Sequence, residues 1–461
     1  MARGKKRAKE LTPEEKLTQA LVPIEEQPYQ IPENWCWTYM NRVAQWGSGG
    51  TPSRKNPEYY KGYIPWIKTG ELNDGYVYDT EEKITDEAIA CSSAKIFPAN
   101  TIAIAMYGAT IGKVGILGME AATNQACACG ICLEALAYKF LFYYARSQKG
   151  AFIGKAKGGA QPNISQEIIK THFIPLPPLA EQQRIVDRIE SIFAKLDEAK
   201  ERAQEVVDGF EMRKSAILHK AFTGELTKKW REEHRVTLES WRNKKINQVT
   251  VPRTGYAFES KKFCDKGYQI IRMGNLYAGQ LDLSRKPVFI SEDDVDDSIL
   301  KHALVQEGDI LITLTGTKYK RDYGYAVCIT EPEMLLLNQR ILCLSTTKDV
   351  ERNYILYYLK SKVFRDIFFS NETGGVNQGN VSSKFVENIE IKIPLREEQC
   401  EIVQVLERMM EMEQQAKEIA EAVIEQIDVM KKAVLARAFR GELGTNDPKE
   451  ESAMELLKRV L

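Results

Sequence analysis

The sequence predicts an α+β protein: two mixed α/β globules separated by two long antiparallel helices forming a coiled coil, arranged as a pseudo-twofold repeat. Three observations predict it. A shift of 217 residues lays Glu181–Leu226 on Glu398–Leu443 without a gap, and 18 of the 46 positions are identical. Within both copies, apolar residues recur at alternating steps of four and three, the seam of a coiled coil. Between the copies lie short apolar runs and glycine-rich turns that share only landmarks. A repeat without gaps demands helices of equal length, because one inserted residue rotates everything beyond it by about 100°.

The bulk numbers narrow the class. A chain of 461 residues with 43% hydrophobic content suits two to four domains with ordinary cores. A formal net charge of zero excludes a uniformly basic coat but not local patches. Nine scattered cysteines follow a start, MARGKKRAKELTPEEK, that lacks an apolar leader core. No run approaches about 18 apolar residues. A reduced, cytoplasmic location without membrane attachment is the expectation.

Residues 1–23 read as a basic tail and a short helix, opened by the capping box Thr12-Pro13-Glu14-Glu15 and running through Leu21. Residues 24–175 form the first globule. Trp35 and Trp37 lead in, and Gly47–Pro52 is a turn cluster. Ile64–Gly70 follows, then the apolar strand Thr101–Met106, which runs into Tyr107-Gly108-Ala109-Thr110-Ile111-Gly112-Lys113. Thr123-Asn124-Gln125, a helix over Leu136–Arg146 and a loop over Lys155–Ser165 complete it.

Residues 176–226 form the first rod, with a seam through Ile185, Ile189, Ile192, Leu196, Ala199, Ala203, Val206, Phe210 and Ile217. Continuous helix over Pro177–Phe222 would span roughly 70 Å. Residues 227–393 repeat the globule, with Trp241 for Trp35, Ile270–Leu276 for Trp66–Leu72, Gly308–Thr313 for the apolar strand and Asn338-Gln339 for Asn124-Gln125. Residues 394–443 form the second rod, its seam interrupted by Glu413 where the first copy has Leu196. Gly224 and Gly441 are left-handed caps in Phe-x-Gly-Glu-Leu endings. Residues 444–461 hold a tail and a helix from the capping box at Ser452 through Leu461.

A further apolar stripe flanks the seam at Val186, Phe193 and Val207, and again at Val403, Met410 and Ile424. Two readings stand: the stripe packs on the chain's own globules, or helices of another protein dock there and complete a bundle.

The chemistry of a catalyst is missing. No Asn/Asp-Pro-Pro-Tyr segment is present to hold a flipped adenine. Gly108-x3-Gly112-Lys113 lacks one spacer residue and the hydroxyl residue of a phosphate-binding loop. Cys127, Cys129 and Cys132 have small or apolar neighbours and no second ligand pair, which favours a buried strand over zinc. The four histidines form no cluster with a nucleophile, and no acidic metal-binding constellation stands out. What remains is a faithfully repeated frame that carries two globules with different surface loops. Such a ruler suits half-sites on DNA, whose readable faces recur about every 34 Å.

Glu181-Gln182, Ile185-Val186 and Ala221–Leu226 resemble the central conserved region of type I restriction–modification specificity subunits. Glu398-Gln399, Ile402-Val403 and Ala438–Leu443 resemble the distal one, and the Pro32–Trp35 lead-in and the Asn-Gln pairs extend the likeness over essentially the whole chain. The resemblance implies a non-catalytic subunit that recognises a split, asymmetric site on double-stranded DNA. One target-recognition domain reads each half, while the helices set the spacer and bind two modification subunits. It implies no cofactor on this chain; S-adenosylmethionine belongs to the modification subunits, and ATP and Mg to the restriction subunits that translocate and cleave. The stripe at Val186, Phe193, Val207, Val403, Met410 and Ile424 is where modification-subunit helices would dock.

Candidates for DNA contact are basic, aromatic and polar loop residues. In the first globule these are Arg54, Lys55, Tyr59, Tyr60, Lys68, Tyr107, Thr110, Lys113, Lys155, Lys157 and Gln161. In the second they are Arg272, Thr315, Thr317, Lys318, Tyr319, Lys320, Arg321 and Gln378. The rival reading is a coiled-coil adaptor joining two protein-binding globules, and a third is an unrecognised nuclease.

Overall fold

The computed structural model describes residues 12–158, 162–277, 279–375 and 377–461. The chain divides into two units, Met1–Arg202 with Val423–Leu461, and Ala203–Ala422. Each unit takes one globule and part of both long helices.

In the first unit the strand Ile102–Ala105 alternates bulky and small side chains, and every one is buried. Ile102 and Ile104 pack toward the helix Tyr138–Ser147 and the start of the first rod at Ile185 and Ile189. Ala103 and Ala105 face Ile67, Leu72, Phe97 and Cys127. The period of two thus serves two cores at once. This strand is central in a five-stranded sheet of order Ala44–Ser48, Cys127–Cys132, Ile102–Ala105, Val114–Leu117, Gly75–Val77. Only the last pair is parallel. A second sheet joins Lys83–Ile84, Ile64–Ile67, Ala121–Thr123 and Ile96–Phe97. A ribbon of Cys36–Tyr39 with Phe173–Leu176 lies at the base.

The second unit follows the same plan. Thr250–Thr254, Ile341–Thr346, Ile310–Thr313 and Ala326–Cys328 form its main sheet. Phe263–Cys264, Phe289–Ile290, Tyr268–Ile271 and Leu335–Leu337 form the other, and Arg242–Lys245 pairs with Glu390–Ile393 as the basal ribbon.

The two rods differ in continuity. The second is one helix, Arg396–Ala438. The first is Leu179–Asp208 followed by Phe210–Thr223, with a local departure from regular helix at Gly209. Glycine is the costliest non-proline residue in a helix interior, by about 1 kcal/mol relative to alanine. The i→i−4 bonds nonetheless continue through Gly209 to Glu205 and Arg213 to Gly209, each 3.0 Å. Gly224 and Gly441 end the rods in the left-handed region, at φ +83° and +76°.

Within each unit the rod segments run antiparallel. In the first, Lys431 pairs with Asp197 and Lys200 with Asp428 (2.8 Å), so partner numbers fall as residue numbers rise. In the second, Arg213 meets Glu413 at 2.7 Å and the Lys417 ammonium lies 4.9 Å over the Phe210 ring. Glu413 is therefore answered by a guanidinium rather than stranded in an apolar seam. The seam is not buried throughout: Ile185, Ile189, Ala203, Phe210, Ile402, Leu406, Ala420 and Ile427 are, whereas Ala199, Ala416 and Met430 are exposed.

The flanking stripe is also divided. Val186 and Phe193 are buried in the first unit's core, with Phe193 edge-on to Tyr143 at 5.9 Å, and Val403 is buried in the second. At these three positions the chain's own globules occupy the face expected to receive partner helices. The stripe's spacing alone does not say which neighbour covers it. Val207, Met410 and Ile424 remain half-buried.

The Glu-Gln pairs lock each globule to its rod. Fully buried Glu181 accepts from Trp35 Nε1 (2.7 Å), Asn446 Nδ2 (2.9 Å) and Thr445 Oγ1 (3.3 Å). Fully buried Glu398 accepts from Trp241 Nε1 (2.9 Å), Arg231 (2.6 Å) and Thr227 Oγ1 (2.8 Å). Gln182 and Gln399 bridge backbone groups beside them: each donates to the proline carbonyl five residues back and accepts one amide. Several donors thus converge on each carboxylate, which a buried charge requires.

Residues near both termini close on the first unit. Ala453 N donates to Asn34 O (2.9 Å), Asn34 Nδ2 donates to Asp447 O (3.0 Å), and Lys16 Nζ donates to Leu461 O (3.2 Å). The Thr12 capping box forms and opens Pro13–Ala20. The helix at Ser452 is shorter than expected, Ala453–Lys458; Ser452 accepts from Met454 N, while Glu455 is drawn to Lys458 at 2.6 Å.

Candidate nucleic-acid interface

Sheet register carries several loops of the first unit to one end. Gly50 N donates to Thr123 O (2.9 Å), Asn124 N to Ile67 O (2.9 Å), Met106 N to Ala126 O (2.8 Å) and Ile164 N to Met106 O (2.9 Å). The loops after Ser48, Ile67, Ala105 and Thr123 and the described residues 155–158 and 162–165 therefore share one rim. In the second unit the equivalent bonds recur: Tyr256 N to Leu337 O (2.9 Å), Asn338 N to Ile271 O (3.1 Å), Leu314 N to Arg340 O (3.0 Å) and Val381 N to Leu314 O (2.9 Å).

On the first rim, several candidate cations are already paired. Arg54 pairs with Glu82 at 2.8 Å and stacks over Tyr60 and Trp66, at 4.0 and 5.2 Å. Lys68 pairs with Glu81 (2.8 Å) and Glu82 (3.5 Å), and the Glu81 hydrogen bond holds its ammonium above the ordinary lysine pKa. Tyr60 donates to Pro52 O at 2.6 Å. Arg54, Lys68 and Tyr60 are thus engaged within the chain, through partners at separations that a linear reading does not pair. Tyr59 is half-buried, and Lys55 is exposed.

Asn163 bridges both to Tyr107, at the start of the Tyr107–Lys113 loop, and to Lys157. Tyr107 is 45% exposed and Lys113 half-exposed, while Thr110 Oγ1 donates to Tyr107 O at 2.8 Å. A phosphate cradle would need free amides here, but those of Gly108, Ile111, Gly112 and Lys113 donate to Pro162, Gly108, Ala105 and Thr110. Exposed Lys155 lies 3.3 Å from His172 Nδ1, whose other nitrogen lies 3.2 Å from Gln148 Oε1. Burial, then Lys155, pushes His172 down to about 4. Exposed Lys157 shares this rim. Gln161 lies outside the described residues.

The second rim is organised around a short ribbon, Thr315–Gly316 with Gly379–Asn380. A Cβ on Gly316 would sit 2.7 Å from Asp322 Oδ1, so a larger residue would displace Asp322 or Tyr323. Asp322 accepts from Thr317 N (2.7 Å) and Oγ1 (3.1 Å), and Arg321 N donates back to Thr317 O (3.0 Å), with Arg321 at φ +46°. The clamp presents Tyr319, 78% exposed, between half-exposed Lys318 and exposed Lys320 and Arg321. The described ion pairs of this unit all involve other side chains. Arg272 donates to Lys286 O (3.0 Å), and Gln378 is exposed. Thr315 is 7% exposed and its hydroxyl turns to Met273 Sδ at 3.2 Å.

Residue-type reasoning passes over Gln125, Gln339 and Arg340, all exposed on these rims. The repeated Asn-Gln pair is the available signal, since both copies sit at the same junction. Cys127 and Cys129 are buried thiols in the second core of the first unit, and burial pushes Cys129 and the half-buried Cys132 up to about 12.

The family model described as "Type I restriction modification DNA specificity domain" matches residues 32–207 and 238–423, one match for each globule with its adjoining rod segment. The chain is 24% identical over 434 residues to the type I restriction enzyme EcoKI specificity subunit of Escherichia coli K12, covering 90% of each. It is likewise 24% identical over 429 residues to the MjaVIII specificity subunit of Methanocaldococcus jannaschii, covering 90% of this chain and 94% of that one. Its fold matches the crystal structure of the HsdS subunit from Thermoanaerobacter tengcongensis, with a TM-score of 0.64 at 18% identity over 91% of this chain and all of the other. With both globules matched in order and the relatives aligned nearly end to end, the chain belongs to the type I restriction modification DNA specificity family.

Proposed function

We propose that the two rims read the two halves of a bipartite, asymmetric site on double-stranded DNA, one target-recognition domain per half. The observation that carries this reading is the recurrence of one loop junction with different side chains. Four equivalent backbone bonds hold each rim, yet one presents Tyr107, Lys113, Lys157 and Gln125 and the other Lys318, Tyr319, Lys320, Arg321 and Arg340. Arg, Lys, Gln and Asn can pair with base edges in the major groove, and lysines anchor phosphates.

The chain itself does no chemistry in this proposal. Modification subunits bind the helical frame and methylate adenine with S-adenosylmethionine, and restriction subunits bring ATP and Mg. The cytoplasm is the proposed location; no described helix is long and apolar enough to cross a membrane. Methylome sequencing of cells carrying this chain with its modification partner should reveal one bipartite adenine motif that disappears when the chain is deleted. A contiguous motif, or an unchanged methylome on deletion, would refute the reading.

A further inference from the structure

The internal repeat supplies a natural control for one cleft in the second unit. In the first unit, the Phe193 ring lies between two cations, with the Arg146 guanidinium at 5.7 Å and the Lys431 ammonium at 5.1 Å. Lys431 is also paired with Asp197. Shifted by 217 residues, Phe193 becomes Met410, Asp197 becomes Gln414 and Lys431 becomes Lys214. The Phe-Leu-Phe-Tyr-Tyr-Ala-Arg run ending at Arg146 matches Tyr-Ile-Leu-Tyr-Tyr-Leu-Lys ending at Lys360. The second unit therefore keeps both cations and lacks the equivalents of Phe193 and Asp197, and Lys214 lies 5.8 Å over the Phe210 ring instead.

A cleft of about 740 Å³ opens there, lined by Lys214, Lys360, Met410 and Gln414. Arg321, the last residue of the exposed Lys318–Arg321 run, forms part of its wall. Of the acids at the cleft, Asp366 is taken by Lys362 at 2.6 Å, which leaves Glu211. Desolvation, then the like charge of Lys214, holds the Lys360 ammonium below the ordinary lysine pKa. Cations that outnumber the carboxylates of a cleft favour an anion between them.

We infer that this cleft binds phosphate groups of the DNA backbone, continuing the contact that begins at Lys318–Arg321. The inference rests on the DNA-reading function proposed above. Arg321 belongs both to the rim and to the cleft wall, so a strand leaving the rim passes directly to Lys214 and Lys360. The site carries no base information; it adds affinity and salt dependence to the second half-site only.

The test uses the full chain assembled with its modification subunits and compares wild type, K214M/K360M and Q414D. Q414D restores the carboxylate that quenches the equivalent lysine in the first unit, and its melting temperature should be unchanged or higher, which separates its effect from misfolding. Each phosphate contact contributes about 0.9 to the slope of log K against log salt. The double variant should therefore bind with a slope shallower by about two, Q414D by about one. Affinity for cognate and scrambled duplexes should fall by the same factor, with the methylated motif unchanged. Unchanged slopes in both variants overturn the inference. So do unchanged slopes with weakened subunit assembly, which would assign the cleft to a partner's carboxylates. A melting-temperature rise with ATP or inorganic phosphate that Q414D abolishes, at unchanged slopes, would assign it to free phosphate compounds instead. A wild-type complex without salt-dependent DNA binding overturns both this inference and the function it rests on, whereas loss of sequence preference with the slope changes intact would fault only the base-reading proposal.

Discussion

Replacing Arg231 by methionine isolates the difference between the two glutamate locks. Arg231 and Glu398 are paired at 2.6 Å with side chains 9% and 0% exposed, so among the described residues the guanidinium is the only cation bonded to this fully buried carboxylate. Removing one partner of such a pair leaves an uncompensated buried charge and costs about 3–5 kcal/mol. Trp241 and Thr227 still donate, at 2.9 and 2.8 Å, which places R231M toward the lower end of that range. In the first unit Glu181 receives only neutral donors, and the substitution leaves all of them in place. Hydrogen exchange in the full chain reads the two units separately. Peptides from Arg242–Lys245 and Glu390–Ile393 should exchange faster by about two decades or more, since each decade is about 1.4 kcal/mol. Peptides from Cys36–Tyr39 and Phe173–Leu176 should be unaffected. Equal acceleration in both units, or a change under about tenfold in the second, would refute the account of Arg231 as the counterion that permits burial of Glu398.

Alanine at Lys318, Tyr319 and Lys320 together should relax recognition of the second half-site alone, at about 1–3 kcal/mol for each side chain that pairs with a base. Competition binding with duplexes altered in one half checks it, and equal weakening at both halves would make the run a general phosphate anchor. Neutralising Arg54 and Lys68 should do far less to the first half-site, because their charges already serve Glu82 and Glu81. His172 makes the first unit acid-sensitive. Its folded pKa of about 4 lies below the ordinary 6.5, so the unfolded chain takes up the proton first. The associated stability is complete above pH 6.5 and is lost as pH falls toward 4, with about 2 kcal/mol gone by pH 5. His172→Gln should flatten that dependence in urea titrations at pH 7 and pH 5; an unchanged pH dependence would refute it.

Much of the frame is legible in the sequence because the repeat announces it. Trp35 with Trp241, and Glu181 with Glu398, stand at equivalent places in the two copies, and in the folded chain each tryptophan donates to its own glutamate. The cores are legible where alternation is strict, as in Ile-Ala-Ile-Ala over Ile102–Ala105. What escapes depends on neighbours far along the chain. Nothing local to Arg54 points to Glu82, nothing local to Phe193 points to Tyr143, and Glu413 looks like a fault in the seam until Arg213 is set beside it. Gly209 shows the converse: a helix-weakening residue in plain view marks where the first rod divides into Leu179–Asp208 and Phe210–Thr223.

The division of the chain has a consequence for its synthesis. Ala203–Ala422 is one uninterrupted stretch, whereas the other unit is split to either side of it. A ribosome delivers everything the uninterrupted unit needs first, while Trp35 and Glu181 wait for Thr445 and Asn446, which are made later. Closing a loop as long as Ala203–Ala422 costs roughly 5 kcal/mol of chain entropy by (3/2)RT ln n. The antiparallel packing of the uninterrupted unit offsets that cost before the late segment arrives. A nascent chain stopped short of Thr445 would then carry one finished globule and one open core, leaving half-built subunits open to proteolysis before they enter any assembly.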